Sequence, residues 1–469
     1  MRFCTLKAQY SLRGWIGMPY ALKHNYSVMN LNRDQFHMLL LCDGQRDLEK
    51  TEMSNEMKLA LDAFEKEDVI EYHQEPHELQ PDQYYKHYDN RYFNDVIWSI
   101  TGKCNCQCRH CYLDAPDAAF GELPLEEAYS IVDQMAECGI YKVDLTGGEP
   151  LVRNDFWKIV DKLCQRGIDI EQIYTNGCLL TEEVLDQLSE RNLRTDFCLS
   201  FDGLGWHDWM RGVTGAEEAA LSAMKLCVDK GFFVSVEMCV HKGNLSSLRD
   251  TVLKLAETGV SSIKVSDVMN TDLWLKNSEG YETTIQSYFD AILDYIPHYF
   301  EDGMPVNMCL GGVVRLRKGS TEYFPVAEFD EGTEKCLQRH ICGAARSGCY
   351  IGPDGRLLPC MPIASAKEKD LFPKVQDIGL RQALKESYYM QYVNMRVKDL
   401  LEVCKTCREC PYHLKCGGGC RAEAVKGGET NLMGPDPYRC LMWKGGYLEK
   451  LHEVCDKAIQ EIQNKEFVK

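Results

Sequence analysis

The sequence predicts an α/β fold: a partial (β/α)6, TIM-like barrel with a small winged-helix-like domain before it and a Cys-rich domain after it. Between Asp95 and Asp267, short β-type runs alternate with amphipathic helical runs, the signature of βα units around a parallel sheet. Ahead of them come a helix, a tight turn, a second helix and a short strand, an order that suits a winged helix. From about Cys336 onward, cysteines and glycines crowd together. The domain boundaries implied are 1–92, 93–310 and 311–469.

The N-terminal unit rests on LNRDQFHMLLLCDGQRDL, a turn at Asp43-Gly44, and EMKLALDAFEKEDVIEY. The barrel strands are DVIWSIT (95–101), YKVDLTG (141–147), EQIYTNG (171–177), TDFCLSFDG (195–203), FFVSVEMCV (232–240) and SSIKVSDV (261–268). Between them, runs such as LEEAYSIVDQMAEC, DFWKIVDKLCQR and SLRDTVLKLAET space their apolar residues by three and four and stop near Gly139, Gly167 and Gly259. That is helix with a glycine stop. Tyr281 to Phe300 reads as one long amphipathic helix. Six units leave the barrel open, with chemistry expected at the C-terminal strand ends. CNCQCRHC, GGEP, TNG and SFDG follow the first four strands in turn.

Composition narrows the class. No apolar run approaches the roughly 20 residues a bilayer needs, and MRFCTLKAQYSLRGW lacks a signal-peptide pattern, so the cytoplasm is the expected location. The chain holds 24 cysteines, and a reducing compartment keeps thiols from lasting disulfides. Metal binding becomes the leading use for them. A formal net charge of −18 argues against nucleic acid as the main partner.

Cys104, Cys108 and Cys111 have the spacing C-x3-C-x2-C and leave Cys106 over. Three ligands are too few for a closed structural zinc site but suit a four-iron, four-sulfur cluster with one iron open to another ligand. At the next strand end, Gly147 and Gly148 permit close approach of a ligand to the backbone, and Glu149 offers a carboxylate to an ammonium group. Together the two motifs resemble those of the radical S-adenosylmethionine (radical SAM) enzymes, over Asp95 to Asp267. The resemblance implies that Cys104, Cys108 and Cys111 hold the cluster and that its open iron takes the amino and carboxylate groups of S-adenosylmethionine. One electron then releases a 5'-deoxyadenosyl radical, which abstracts a substrate hydrogen. It also implies that Gly147, Gly148 and Glu149 hold the methionine ammonium and that His110 lies near adenine. Ser200 and Asp202 would contact the ribose or methionine moiety. Asn176 and Asn244 are further candidates, and Arg211 would reach the carboxylate.

Farther on, Cys407-x2-Cys410-x5-Cys416-x3-Cys420 is followed by Cys440 and preceded by Cys342 and by Gly355-x4-Cys360. Two C-x2-C-type knuckles also fit zinc. The whole pattern resembles the seven-cysteine SPASM extension of radical SAM enzymes, which carries one or two auxiliary four-iron clusters. By that resemblance Cys407, Cys410, Cys416 and Cys440 hold the distal cluster. Cys342, Cys360 and Cys420 hold the proximal one, with Cys349 as fourth ligand, making three clusters in all. Were Cys349 not to ligate, the proximal iron could bind a substrate thiolate.

SPASM enzymes commonly act on peptides, and VMNLNRDQFHMLLLCDGQRDLEK with LALDAFEKEDVIEY resembles the small domains that grip leader peptides by strand addition. The expected function is therefore peptide maturation. The substrate would be a ribosomal precursor peptide with a leader segment, the product a thioether or other oxidative cross-link, and the electron donor a flavodoxin or ferredoxin. An anaerobic sulfatase-maturating enzyme shares these features, but that group has an aspartate after the cysteine at the Cys360 position, where this chain reads PCMPIAS. A non-catalytic iron-sulfur electron carrier would have no use for GGEP or for polar strand ends.

Overall fold

The computed structural model describes residues 1–113, 121–327, 331–426 and 432–467. The N-terminal unit carries β1 (Phe3–Leu6), β2 (Tyr10–Ile16), β3 (Met18–His24) and β4 (Ser27–Asn30), then helices Arg33–Leu40 and Asn55–Lys66, then β5 (Ile70–His73) and β6 (Lys86–Arg91). The helices and the strand after them match the sequence expectation; the four strands before them were not foreseen. Strands β4-β3-β2-β6 form one sheet, with β4 at its edge, and β1 pairs with β5 antiparallel. Each helix opens on a side-chain cap, from Asn32 and Ser54, which satisfies an otherwise orphaned N–H. Leu12, Leu22, Phe36, Leu39, Leu61, Phe64 and Ile70 give the unit a core of its own. It docks on the barrel through Trp15, whose Nε1 donates to Cys138 O at 3.0 Å, and through Tyr88 and Tyr141, whose hydroxyls meet at 2.7 Å.

The barrel strands are β7 (Asp95–Ser99), β8 (Lys142–Thr146), β9 (Asp169–Thr175), β10 (Asp196–Ser200), β11 (Val234–Val240) and β12 (Ser262–Asp267). They lie side by side in chain order and are all parallel. Beyond β12 the sheet continues with parallel β13 (Asn307–Leu310) and antiparallel β14 (Val314–Leu316) and β15 (Tyr323–Pro325). At the other side β16 (Gly348–Ile351) pairs parallel with β7, and β17 (Leu357–Leu358) follows it. The Cys-rich domain thus lends two strands to the barrel sheet and covers the edge of β7, which would otherwise offer unpaired backbone.

Alternation sorts the strand residues by face. Val96, Val143, Ile173, Phe197, Val236, Ile263 and Met308 pack outward in the main core. They meet the helices Leu125–Glu137, Phe156–Gln165, Glu182–Glu190, Ala216–Asp229, Leu248–Glu257 and Ile285–Glu301. The inward face is polar instead, with Asp144, Gln172, Cys198, Ser235, Glu237, Ser262 and Lys264 brought into line by the register.

Asp144 makes this polarity testable. Burial first, then the neighbouring Asp95 and Glu171, pushes its carboxyl up to about 7; in an unfolded chain it would titrate near 3.9. Between those values the native state keeps a proton that the unfolded chain has lost, so stability falls as pH rises through the interval. Asp144→Asn removes that loss. Its stabilising effect should be larger at pH 8 than at pH 5.5 by roughly 1–2 kcal/mol, read from denaturant unfolding at the two pH values. Equal effects at both would contradict the assignment.

Candidate active site

Loops from four strand ends converge on one cavity of ≈160 Å³. Cys104, Cys108, His110 and Cys111 come from beyond β7, Gly147 and Gly148 from beyond β8, Asn176 from beyond β9, and Ser200 and Arg211 from β10 and its following helix. Sequence reasoning had named all nine of these residues. Cys106, Tyr112, Thr146, Tyr174, Glu237 and Met361 line the same space. Met361 thus occupies the wall where the sulfatase-maturating group has its aspartate, and a thioether sulfur offers no titrating proton.

The cysteine loop is pinned from both sides. Gln107 and Arg109 donate their N–H groups to the carbonyls of Arg211 and Met210, each at 2.9 Å. Gly148 and Glu149 donate to the carbonyls of Thr101 and Lys103, also at 2.9 Å. A Cβ on Gly148 would stand 2.3 Å from Lys103 O, so glycine is needed there to let the two strand-end loops touch.

Polar hydrogens surround the thiols. Cys106 N–H donates to Cys104 Sγ at 3.4 Å, Asn176 Nδ2 reaches the same sulfur at 3.8 Å, and Arg211 Nη1 lies 3.6 Å from Cys108 Sγ. The Cys106 thiol's hydrogen bond, aided by the Arg211 charge against the cost of burial, holds Cys108 down at about 6. That favours the thiolate that metal ligation requires. The His110 Nδ1 is buried without a protein partner, and burial keeps the ring neutral by lowering it to about 4. Three thiols, donors aimed at two of them, and an unsatisfied ring nitrogen in the same cavity fit an iron-sulfur cluster with a polar organic ligand beside it.

Three of the expected site residues stand behind the cavity wall. Glu149 is fully buried: its carboxylate accepts from the Thr175 hydroxyl at 2.9 and 3.0 Å, from Asn176 N–H at 2.8 Å and from Leu151 N–H at 3.2 Å. Burial raises it to about 7 in spite of those bonds. Asp202 Oδ2 lies 2.7 Å from Arg211 Nε, and its Oδ1 accepts from Cys239 N–H at 3.1 Å. Burial alone would raise the Asp202 carboxyl; the Arg211 guanidinium more than offsets this and holds it far below the usual range. Asn244 donates to the carbonyls of Asp202 (2.6 Å) and Cys239 (3.0 Å) and accepts from His241 N–H (2.7 Å), tying two strand ends together.

In the Cys-rich domain Cys407, Cys410, Cys416 and Cys440 line a single small cavity with Tyr412, Asp436 and Trp443. Gly417, Gly418 and Gly419 have φ of 60°, 86° and 73°, a left-handed run that only glycine sustains cheaply. Cys420 and Cys342 both lie close enough to Cys360 to raise its thiol, after the larger effect of burial. Cys349 sits buried on β16 opposite Val96, near Asp95 and the Cys138 thiol, and shares with Cys342 and Cys360 the neighbourhood of the Tyr389 hydroxyl. Two thiols that the sequence reading did not single out lie close to these groups. Cys404 lies close enough to Cys407 to raise its thiol, after the larger effect of burial, and Cys336 Sγ stands 3.3 Å from where a Gly417 side chain would begin. Their spacing, three residues before Cys407 and six before Cys342, was the available signal.

A site of this kind, with cluster thiols and a cavity at the strand ends of an open parallel barrel, fits an enzyme that uses S-adenosylmethionine at an iron-sulfur centre. Residues 98–256 match the model of the radical SAM superfamily, so the barrel carries a radical SAM domain. The AdoMet-dependent heme synthase of Methanosarcina barkeri is 26% identical over 345 residues, covering 70% of this chain and 91% of that one. The mycofactocin maturase MftC of Mycobacterium tuberculosis is 26% identical over 349 residues, covering 73% and 81%. The crystal structure of Streptococcus suis SuiB bound to its precursor peptide SuiA superposes with a TM-score of 0.61 over 94% of this chain and 100% of that one, at 14% identity. Among the described residues no helix is long and apolar enough to cross a membrane.

Proposed function

We propose that this radical SAM enzyme is a cytoplasmic peptide maturase that acts on a ribosomal precursor peptide and forms an oxidative cross-link, a thioether by preference. The observation that carries the reading is the cavity where the cysteine loop meets three other strand ends, beside a larger barrel cavity that has Gln172, Ser235, Glu237, Ser262 and Lys264 in its wall. Extended peptide needs hydrogen-bonding groups along its path, which Gln172, Ser235, Glu237, Ser262 and Lys264 offer here. Support for a peptide also comes from the mycofactocin maturase and from the SuiB complex with its precursor.

In this reading Cys104, Cys108 and Cys111 hold the cluster, and the bound pair of cluster and S-adenosylmethionine supplies the radical that takes hydrogen from the peptide. His110 faces adenine as a neutral ring, Ser200 the ribose, and Arg211 the methionine carboxylate. Gly147 and Gly148 present backbone to the ammonium. Glu149 and Asp202 act from behind, fixing Asn176 and Arg211. Cys407, Cys410, Cys416 and Cys440 hold one auxiliary cluster, and Cys342, Cys360 and Cys420 another. Cys349, which shares the Tyr389 neighbourhood with Cys342 and Cys360, is the candidate for its fourth position. The N-terminal unit takes the leader on the exposed edge of β4, and a flavodoxin or ferredoxin delivers the electron.

The test is anaerobic co-expression with a short peptide encoded beside the gene, followed by accurate mass. A loss of one hydrogen molecule per cross-link is expected, and none when Cys104, Cys108 and Cys111 are replaced by Ala. An unchanged peptide mass with the parent enzyme would contradict cross-linking.

A further inference from the structure

The inward face of the barrel sheet carries one continuous row. Ser200 on β10 lies opposite Glu237 on β11, Glu237 opposite Lys264 on β12, Lys264 opposite Cys309 on β13, Cys309 opposite Arg315 on β14, and Arg315 opposite Phe324 on β15. Ser200 and Glu237 line the active-site cavity. Glu237, Lys264, Cys309, Arg315 and Phe324 line a second cavity of ≈430 Å³. Glu237 and Tyr174 are common to both, so the two spaces adjoin across these side chains inside the barrel.

The charge of this second cavity runs against that of the protein. The chain carries a net −18, yet the charged groups lining the cavity are Lys264, Arg315 and Arg317 against the single carboxylate of Glu237. Lys264 is paired with Glu237 at 2.7 Å and Arg317 with Glu322 at 3.0 Å. The Arg315 side chain has no hydrogen-bond or ion-pair partner among the described residues, its backbone alone pairing with Cys309 and Phe324. Beside it Phe324 is 53% exposed, an apolar platform at the same end. A concave wall focuses the field of such cations more than a flat surface does.

Resting on the reading of a peptide substrate, we propose that this row is a docking track for an acidic segment of that peptide, with Arg315 taking a carboxylate and Phe324 an adjacent apolar side chain. The track also sets a spacing. Four inter-strand steps separate Ser200 from Arg315, about 19 Å along the sheet, the reach of about six extended residues. The acid therefore lies about that far along the peptide from the residue that reacts at the Ser200 end.

The experiment uses the cluster-loaded enzyme without oxygen and fluorescein-labelled Gly/Ser peptides carrying either three Asp or three Lys. Anisotropy at low salt should show the Asp peptide binding about tenfold more tightly than the Lys peptide, against the net charge of the protein, with the preference fading at high salt. Arg315→Gln should abolish the preference and Arg315→Glu should invert it. Cluster absorbance and peptide-free SAM cleavage by both variants should match the parent, which separates a failure of the track from a failure of the radical reading. No preference in the parent, or the same preference in Arg315→Glu, overturns the proposal. A cross-linked natural peptide with no acid in that window overturns the spacing.

Discussion

Asp202→Ala should cost on the order of 3–5 kcal/mol of stability and most of the affinity for S-adenosylmethionine. The carboxylate is fully buried between Arg211 Nε, at 2.7 Å, and Cys239 N–H, at 3.1 Å. Removing it leaves the guanidinium of Arg211, itself only 8% exposed, without a counter-charge, and an uncompensated buried charge is expensive. The backbone of Arg211 receives the Gln107 N–H that pins the cysteine loop, so a disturbed arginine should reach the cluster thiols as well. Asp202→Leu combined with Arg211→Met removes both charges and should recover much of the lost stability, because a buried pair is often worth no more than an apolar one of similar size. It should not recover ligand affinity. Melting of the protein and titration with S-adenosylmethionine report the two effects separately. An Asp202→Ala protein as stable as its parent would mean that the pair is not buried as described.

This pair also marks the limit of what the sequence reveals. The six barrel strands are legible because each alternates or runs apolar for at least five residues between glycine-stopped helices, and the residues after them are chemically unusual. Their convergence on one cavity follows from parallel topology alone. Which of them face inward does not. Glu149 and Asp202 carry the same charge as a ligand-binding carboxylate would, but each is turned away, toward Thr175 and Arg211 respectively. That depends on side-chain partners brought in from other strands, which no local pattern encodes. Strands β1 to β4 escaped for a different reason. YSLRGWI and MPYALKH contain Gly, Pro, Leu and Lys, residues of weak β preference; tertiary pairing and the burial of Trp15 and Leu22 hold them extended. Likewise β16 spans only four residues, too short to be distinguished from the cysteine-rich loops around it. Cys349 lies on this strand, a placement its sequence surroundings did not reveal.

Within the Cys-rich domain the largest single effect is expected at Arg421, where alanine should detach the proposed auxiliary clusters while leaving the one at Cys104, Cys108 and Cys111 loaded. The side chain is 2% exposed. Its Nη1 donates to the carbonyls of Leu432 at 3.2 Å and Gly434 at 2.7 Å, and Nη2 donates to Gly418 O. These bonds join the Gly417–Gly419 turn to the segment that leads into Asp436. Asp436 in turn receives Cys420 N–H at 2.7 Å and caps the helix that carries Cys440. Truncation would leave three carbonyls without their charged donor and a void around them, a loss of about 3–5 kcal/mol confined to this domain. Two sets of thiols depend on that turn, whereas Cys104, Cys108 and Cys111 are held by the barrel. In the proposed three-cluster protein, iron per chain should therefore fall by roughly two thirds, with peptide-free SAM cleavage retained and peptide cross-linking abolished. Arg421→Lys keeps the charge but cannot span three acceptors from one rigid fork, so it should lie between the parent and alanine. Full iron content in Arg421→Ala would show that the cysteines themselves, rather than this arginine, hold the turn in place.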